Sequence, residues 1–300
     1  MIEFKNVHTS YDVHTPILKG VTCRIERGDF VAFVGTNGAG KSTAMRLING
    51  LLKPDKGEVL FDGVSTAQRR TSELARQVGF LFQNPDSQIC CDTVRDELAF
   101  GFRSLGIYDD AAKDKIDRII ERFGFNPDDD PFLLNRGARQ LLALASVVVL
   151  EPEVVVLDEP TTGLDFRECE KVMDVVSALH ASGTTVVMVC HDMEVVADYA
   201  DRVIVMVDGR VICQGPTFEV LRNRDVLSSA NLVPPQVVDI SLVLAQACGS
   251  AVPQGLSSAN NLDEMCDAVA CAIGAVYDGP RGKERFAAKG LPARPKGGTL

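Results

Sequence analysis

The stretch Gly35-Thr36-Asn37-Gly38-Ala39-Gly40-Lys41-Ser42-Thr43 decides the fold. It fits G-x-x-x-x-G-K-[ST], and its flanks say as much as its letters. Val31–Val34 before it is an apolar run that reads as a buried strand, and apolar Met45–Leu52 behind it reads as a helix. Strand, glycine loop and helix in that order make a phosphate cradle. The glycines let successive backbone N–H groups turn inward around β- and γ-phosphates, and the helix N-terminus adds partial positive charge. Lys41 offers a compact cation to the phosphate oxygens, and Ser42 offers a hydroxyl to Mg²⁺, a hard ion that prefers oxygen. Gly35, Asn37, Gly38, Gly40 and Thr43 complete this candidate nucleotide-binding loop.

Further strands follow. Val154–Leu157, Thr184–Cys190, Val203–Val207 and, after the Asp208-Gly209 turn, Val211–Cys213 are short apolar runs bounded by turn residues. Helical patterns at Cys169–Ser182 and Met193–Ala200 separate them, which predicts an α/β fold with a mostly parallel sheet and helices on both faces. Between Phe82 and Leu150 the character changes to a helical insert, with Ile116, Ile119, Ile120 and Phe123 at helical spacing. After Asn223 come Pro234-Pro235 and two amphipathic stretches near 237–247 and 262–276. At the end of the Val154 strand, Asp158-Glu159 sets two carboxylates where ligands bind in open α/β sheets. Asp158 is the expected Mg²⁺ partner, and Glu159 is positioned to polarise an attacking water.

Composition bounds the partners. The 300 residues are 46% hydrophobic but only 6% aromatic, so the core must be largely Val, Leu, Ile and Ala. A formal charge of −10 argues against gripping nucleic acid by bulk electrostatics. Any phosphate must be held locally. The charge is uneven: residues 281–300 carry six basic groups against one acid, a local +5, leaving −15 for the other 280. That Gly/Pro-rich tail reads as solvated and disordered, with contact to anionic lipid headgroups as the alternative. Nine cysteines, an odd number with no C-x-x-C, read as small buried hydrophobes in a reducing compartment. No signal peptide is expected from Met1–Asp12, and Leu141–Leu150, the longest apolar stretch, is too short to span a bilayer. The chain is expected to be soluble, reaching a membrane only through a partner.

With these residues assembled, the chain resembles the nucleotide-binding ATPase subunits of ABC transporters over about residues 1–222. Further motifs stand in that family's order: Tyr11 where an aromatic stacks on adenine, Phe82-Gln83-Asn84-Pro85 as the glutamine loop, Leu157–Asp165 (LDEPTTGLD) joining Walker B to the D-loop, and His191 as the switch histidine. The resemblance implies a P-loop NTPase core: a RecA-like, mostly parallel sheet with an antiparallel β element. It also implies a helical subdomain over about 84–150, a small C-terminal extension over 223–278 that helps dimerisation, and the basic tail at 279–300. It implies ATP and Mg²⁺ as ligands, with Glu159, His191 and Gln83 in catalysis and Ser42, Gln83 and Asp158 around the metal. Among such subunits, Gln83-Asn84-Pro85-Asp86-Ser87-Gln88 with Thr93–Gly101, and the extension after Leu232-Val233-Pro234-Pro235-Gln236, are most similar to the ATPases of energy-coupling factor transporters for vitamins and metal ions.

One motif departs from the pattern. The family signature L-S-G-G-Q is here Leu134-Asn135-Arg136-Gly137-Ala138, with two of five positions matching. In the family this segment reaches the γ-phosphate held by the other subunit, so Asn135 and Gly137 are the expected nucleotide contacts. Arg136 either adds a positive charge beside that phosphate or faces solvent. The site this chain hosts is intact; the site to which it lends its signature is expected to be impaired. A different second ATPase is therefore the expected partner, with a membrane subunit contacted near Gln83–Gln88 and a substrate-binding membrane component. The expected place is the cytoplasmic face of the membrane. The competing expectation is a regulatory subunit that binds ATP and barely turns it over. A DNA-repair or translation ATPase would need a coiled-coil insert or a second cassette, and neither is present in the sequence.

Overall fold

A computed structural model describes residues 1–11, 15–248, 253 and 255–273. The chain opens with β1 (Ile2–Ser10), β2 (Pro16–Ile25) and β3 (Phe30–Gly35), then α1 (Lys41–Ile48). Next come β4 (Lys56–Phe61), β5 (Val64–Ser65), the short α2 (Thr71–Leu74) and β6 (Val78–Leu81). Three helices, α3 (Val94–Ser104), α4 (Asp110–Phe123) and α5 (Arg136–Val148), precede β7 (Val154–Asp158). Then α6 (Phe166–Ala181), β8 (Thr185–Val189), α7 (Met193–Tyr199), β9 (Arg202–Val207) and β10 (Arg210–Pro216) alternate. Helices α8 (Thr217–Leu221), α9 (Arg224–Ser229), α10 (Gln236–Cys248) and α11 (Leu262–Ile273) follow.

The central sheet has the order β10-β9-β3-β8-β7-β6, parallel except for the edge strand β10. Every residue of β3, β7 and β8 is buried, as parallel strands covered on both faces require. Alternate residues of β3 serve two cores. Phe30, Ala32 and Val34 join α3–α6 in one; Val31 and Phe33 join α1 and the second sheet in the other. Burying each such large side chain contributes about 1.5–3 kcal/mol before ordering costs.

Helices cover both faces, as the sequence pattern predicts, but one face is shared with a second, antiparallel sheet, β2-β1-β4-β5. No single-sequence pattern marks β1 as a strand. Ile2, Phe4 and Val7 are all buried, but the pairing slips between Phe4 and Val7, where Asn6 takes φ 49°. A bulge there breaks the period of two on which strand recognition depends. Backbone Lys19 N–H donates to Gly209 O at 2.8 Å, tying this sheet to the β9–β10 turn.

The cysteine expectation is corrected. Among the described residues only Cys23 and Cys190 are buried; Cys90 and Cys271 are exposed and Cys91, Cys169, Cys213 and Cys266 lie between. Cys90 and Cys91 sit on the loop before α3, where Glu97 accepts both their backbone N–H groups at 3.0 Å and closes the turn. Burial nonetheless pushes the Cys23, Cys91 and Cys190 thiols up to about 12, so they stay protonated. The amphipathic stretches near 237–247 and 262–276 are α10 and α11 as far as Ile273, while the basic tail lies outside the described residues. Arg222 anchors the C-terminal helices, donating to Ser241 Oγ at 3.0 Å and to the Ala259 carbonyl at 3.3 Å.

Candidate active site

Parallel register gathers the chemistry. In the central sheet β3 pairs with β8 and β8 with β7, so the loops leaving Gly35, Asp158 and Val189 emerge at one edge. β6 pairs with β7, Leu81 opposite Leu157, which brings Gln83 beside Glu159. The result is a cavity of about 690 Å³ lined by Tyr11, Ile17, Asn37, Gly38, Ala39, Gly40, Lys41, Ser42, Thr43, Gln83, Glu159 and His191. A cavity of that size suits a nucleotide.

The loop is built by backbone geometry. Gly35 has φ 133°, and a Cβ there would lie 1.9 Å from the Met206 carbonyl oxygen, so only glycine lets the loop leave β3 beside β9. Gly40 precedes α1 with no side chain to cap it, which leaves the first N–H groups of the helix facing the cavity side. Lys41 Nζ donates to the Gly35 and Thr36 carbonyls, both at 2.9 Å. An ammonium has three donors, so one remains for a ligand oxygen. Burial pushes the Lys41 ammonium below the usual lysine range, and Glu159 and Asp158 pull it back up.

Two carboxylates occupy different environments. Asp158 is 4% exposed and accepts from Ser42 Oγ at 2.9 Å. Burial pushes its carboxyl above the ordinary range; the Ser42 hydrogen bond opposes that and the Glu159 charge adds to it. The Ser42 hydroxyl, the Asp158 carboxylate and the amide oxygen of Gln83 form an all-oxygen donor set, and that chemistry fits a hard divalent cation such as Mg²⁺. Glu159, one residue on, is held from three sides. Gln83 Nε2 donates to Oε2 at 2.8 Å, Thr162 Oγ1 donates to the same oxygen at 3.0 Å, and His191 Nε2 lies 2.9 Å from Oε1. Its backbone is in the left-handed region at φ 53°, with its N–H donating to Val189 O at 3.1 Å. That conformation costs about 1 kcal/mol and turns the carboxylate out of the strand toward the cavity.

Tyr11 lines the same cavity and is 57% exposed, its hydroxyl 3.3 Å from Thr43 Oγ1 and 3.4 Å from the Arg46 guanidinium that donates to it. Asn135 and Gly137 are not in the cavity; they start α5. The Asn135 side chain accepts from its own helix, from Ala138 N–H at 2.8 Å, and an added Cβ on Gly137 would meet the Glu168 side chain at 2.1 Å. Thr162 is the functional-site residue that sequence reasoning passed over. It lies inside the quoted LDEPTTGLD motif, and its three-residue spacing from Glu159 across a turn was the available signal.

Comparison with known proteins shows the family. The ABC transporter family model matches residues 18–162. The energy-coupling factor transporter ATP-binding protein EcfA of Methanothermobacter thermautotrophicus is 36% identical over 244 residues, covering 80% of this chain and 78% of that protein. The chain belongs to the ABC transporter ATP-binding proteins. A longer relative from Caldanaerobacter subterraneus subsp. tengcongensis is 40% identical over 244 residues, 80% of this chain, but the chain spans only 43% of its length. Among solved structures, cbiO1 of Clostridium perfringens, part of the ABC transporter complex cbiONQ, superposes with a TM-score of 0.68 at 33% identity. That match covers 79% of this chain and 97% of the cbiO1 chain. Among the described residues of this ABC protein no helix is long and apolar enough to cross a membrane.

Proposed function

We propose that this ABC protein binds and hydrolyses ATP to drive a membrane importer of the energy-coupling factor type, for a vitamin or a metal ion. The observation that carries the reading is the Glu159 carboxylate, fixed by Gln83, Thr162 and His191 at the wall of a cavity whose floor is the phosphate loop. In this reading Lys41 and the N–H groups of the loop hold the β- and γ-phosphates. Tyr11 stacks on the base. Ser42, Asp158 and Gln83 would hold Mg²⁺, which would supply charge neutralisation on the phosphate oxygens. Glu159 takes a proton from the attacking water, and His191 holds that carboxylate in line. Energy is transmitted through the loop after Gln83, which meets a membrane subunit on the cytoplasmic face of the membrane.

The catalytic unit in this reading is a dimer with a second, different ATPase, to which α10 and α11 contribute contacts. The extension at 223–278 is thus a dimerisation element beside a cassette at 1–222 whose helical part covers 84–150. A regulatory subunit with little turnover of its own is the second reading, and the self-capped Asn135 and the apolar Ala138 favour it. Purification of the membrane complex through a tag on this chain separates the two. A second ATPase, membrane subunits and Mg²⁺-dependent ATP turnover are the expected result. Recovery of the chain without partners, or of a complex whose turnover is indifferent to Lys41→Ala, contradicts the motor reading.

A further inference from the structure

Arg136, in the middle of the altered signature, is folded back onto its own chain. Its Nη2 donates to the Thr162 carbonyl at 3.1 Å. Its guanidinium also lies across Gly163, where an added Cβ would fall 2.9 Å from Cζ and 3.0 Å from both Nε and Nη2. Gly163 therefore serves twice, since it has φ 76° as well as leaving room for the guanidinium. Thr162 in turn donates from Oγ1 to Glu159 Oε2 at 3.0 Å, and its own N–H donates to Glu159 O at 3.3 Å. One turn along the same helix, buried Gln140 donates to the Pro160 carbonyl at 3.0 Å. The start of α5 thus grips the 160–163 turn at two points, and that turn carries one of the three hydrogen bonds fixing the carboxylate.

Resting on the hydrolytic reading above, we infer that Arg136 is a positioning residue for Glu159 of its own chain. The signature substitution that weakens the segment toward the partner's nucleotide gives it a fastening inward. The arginine holds the Thr162 carbonyl, Thr162 holds Glu159, and the carboxylate is presented to water in one orientation. Arginine suits the task because a planar guanidinium can donate to a carbonyl while lying flat on a glycine. Lysine keeps the charge and can donate to the same carbonyl but lacks the plane. Loss of this fastening leaves ATP binding intact, because the phosphate loop does not touch it, and lowers the rate of the chemical step.

The test uses the complex purified through this chain. Arg136→Ala is expected to lower kcat about tenfold with KM for ATP changed less than about twofold, and Arg136→Lys is expected to recover about half of the loss. A second arm separates action within the chain from contact with the partner's phosphate. Glu159→Gln should retain unhydrolysed ATP after gel filtration. Adding Arg136→Ala to that variant is expected to leave the retained ATP unchanged, because the carboxylate it positions is already gone. A fall in retained ATP would assign Arg136 to phosphate contact across the dimer and overturn the inference, as would an unchanged kcat in Arg136→Ala alone. Turnover that survives Glu159→Gln by itself would instead remove the hydrolytic reading on which this inference stands.

Discussion

Two loops of this molecule each feed a helix N-terminus, and they end in opposite states. At Gly40 the α1 terminus has no side-chain cap, so its N–H groups and Lys41 face the cavity. At Asn135 the α5 terminus is capped by its own residue, the amide oxygen accepting from Ala138 N–H at 2.8 Å. An uncapped terminus presents donors to an anion; a self-capped one has already given one donor to its own side chain. Arg136, one residue on, turns its charge back to Thr162. The difference teaches that the two halves of an ABC nucleotide site can be specialised separately. In the proposed function this chain keeps the half that binds and cleaves, and reworks the half that would reach across to a partner.

Breaking the intact half gives the largest effect. Lys41→Ala removes the only lysine or arginine side chain lining the cavity, among the described residues. Its ATP turnover is expected to fall at least about 10²-fold, with binding lost in an equilibrium titration. Rebuilding the altered half gives a smaller change of opposite sign. Asn135→Ser together with Ala138→Gln is expected to raise turnover of the complex about threefold, read in steady-state assays; a glutamine also adds a side-chain donor where Ala138 has none. No increase would show that the signature does not limit the rate.

The smallest effect is on stability. Burial raises the Asp158 carboxyl above its ordinary value of 3.8, so the folded chain binds that proton more tightly than the unfolded one. The buried charge therefore costs stability above the folded-state value, and the cost disappears as pH falls below 3.8. Asp158→Asn is expected to raise Tm by about 2 °C at pH 7 without Mg²⁺, while abolishing turnover. The gain should shrink as pH falls through the carboxylate range. A lower Tm at pH 7 would show that the charge is held by its partners rather than tolerated for function.

Much of this was legible in the sequence, for reasons tied to particular residues. The parallel strands β3, β7, β8 and β9 are continuous apolar runs because both faces are buried, and such runs are visible without any neighbour's help. The phosphate loop and Asp158-Glu159 follow from the same fact, since each sits where such a run ends. The antiparallel sheet was not readable from pattern alone, because the bulge at Asn6 interrupts β1 and in β2 the period of two holds only over Val21–Ile25, with Lys19 and Gly20 separating buried Leu18 from buried Val21. The inward turn of Arg136 was invisible for a different reason. It depends on the 160–163 turn arriving beside α5, a juxtaposition 26 residues apart in sequence.

In the proposed mechanism Glu159, held by Gln83, Thr162 and His191, activates the water that hydrolyses ATP bound in this chain's own loop. Glu159→Gln tests it most directly, since glutamine keeps the size of the side chain and its backbone turn but cannot take a proton from water. Turnover and nucleotide content of the purified complex should be measured together. The predicted result is loss of ATP hydrolysis with ATP retained on the protein. Undiminished turnover with ADP as the bound nucleotide would contradict the account.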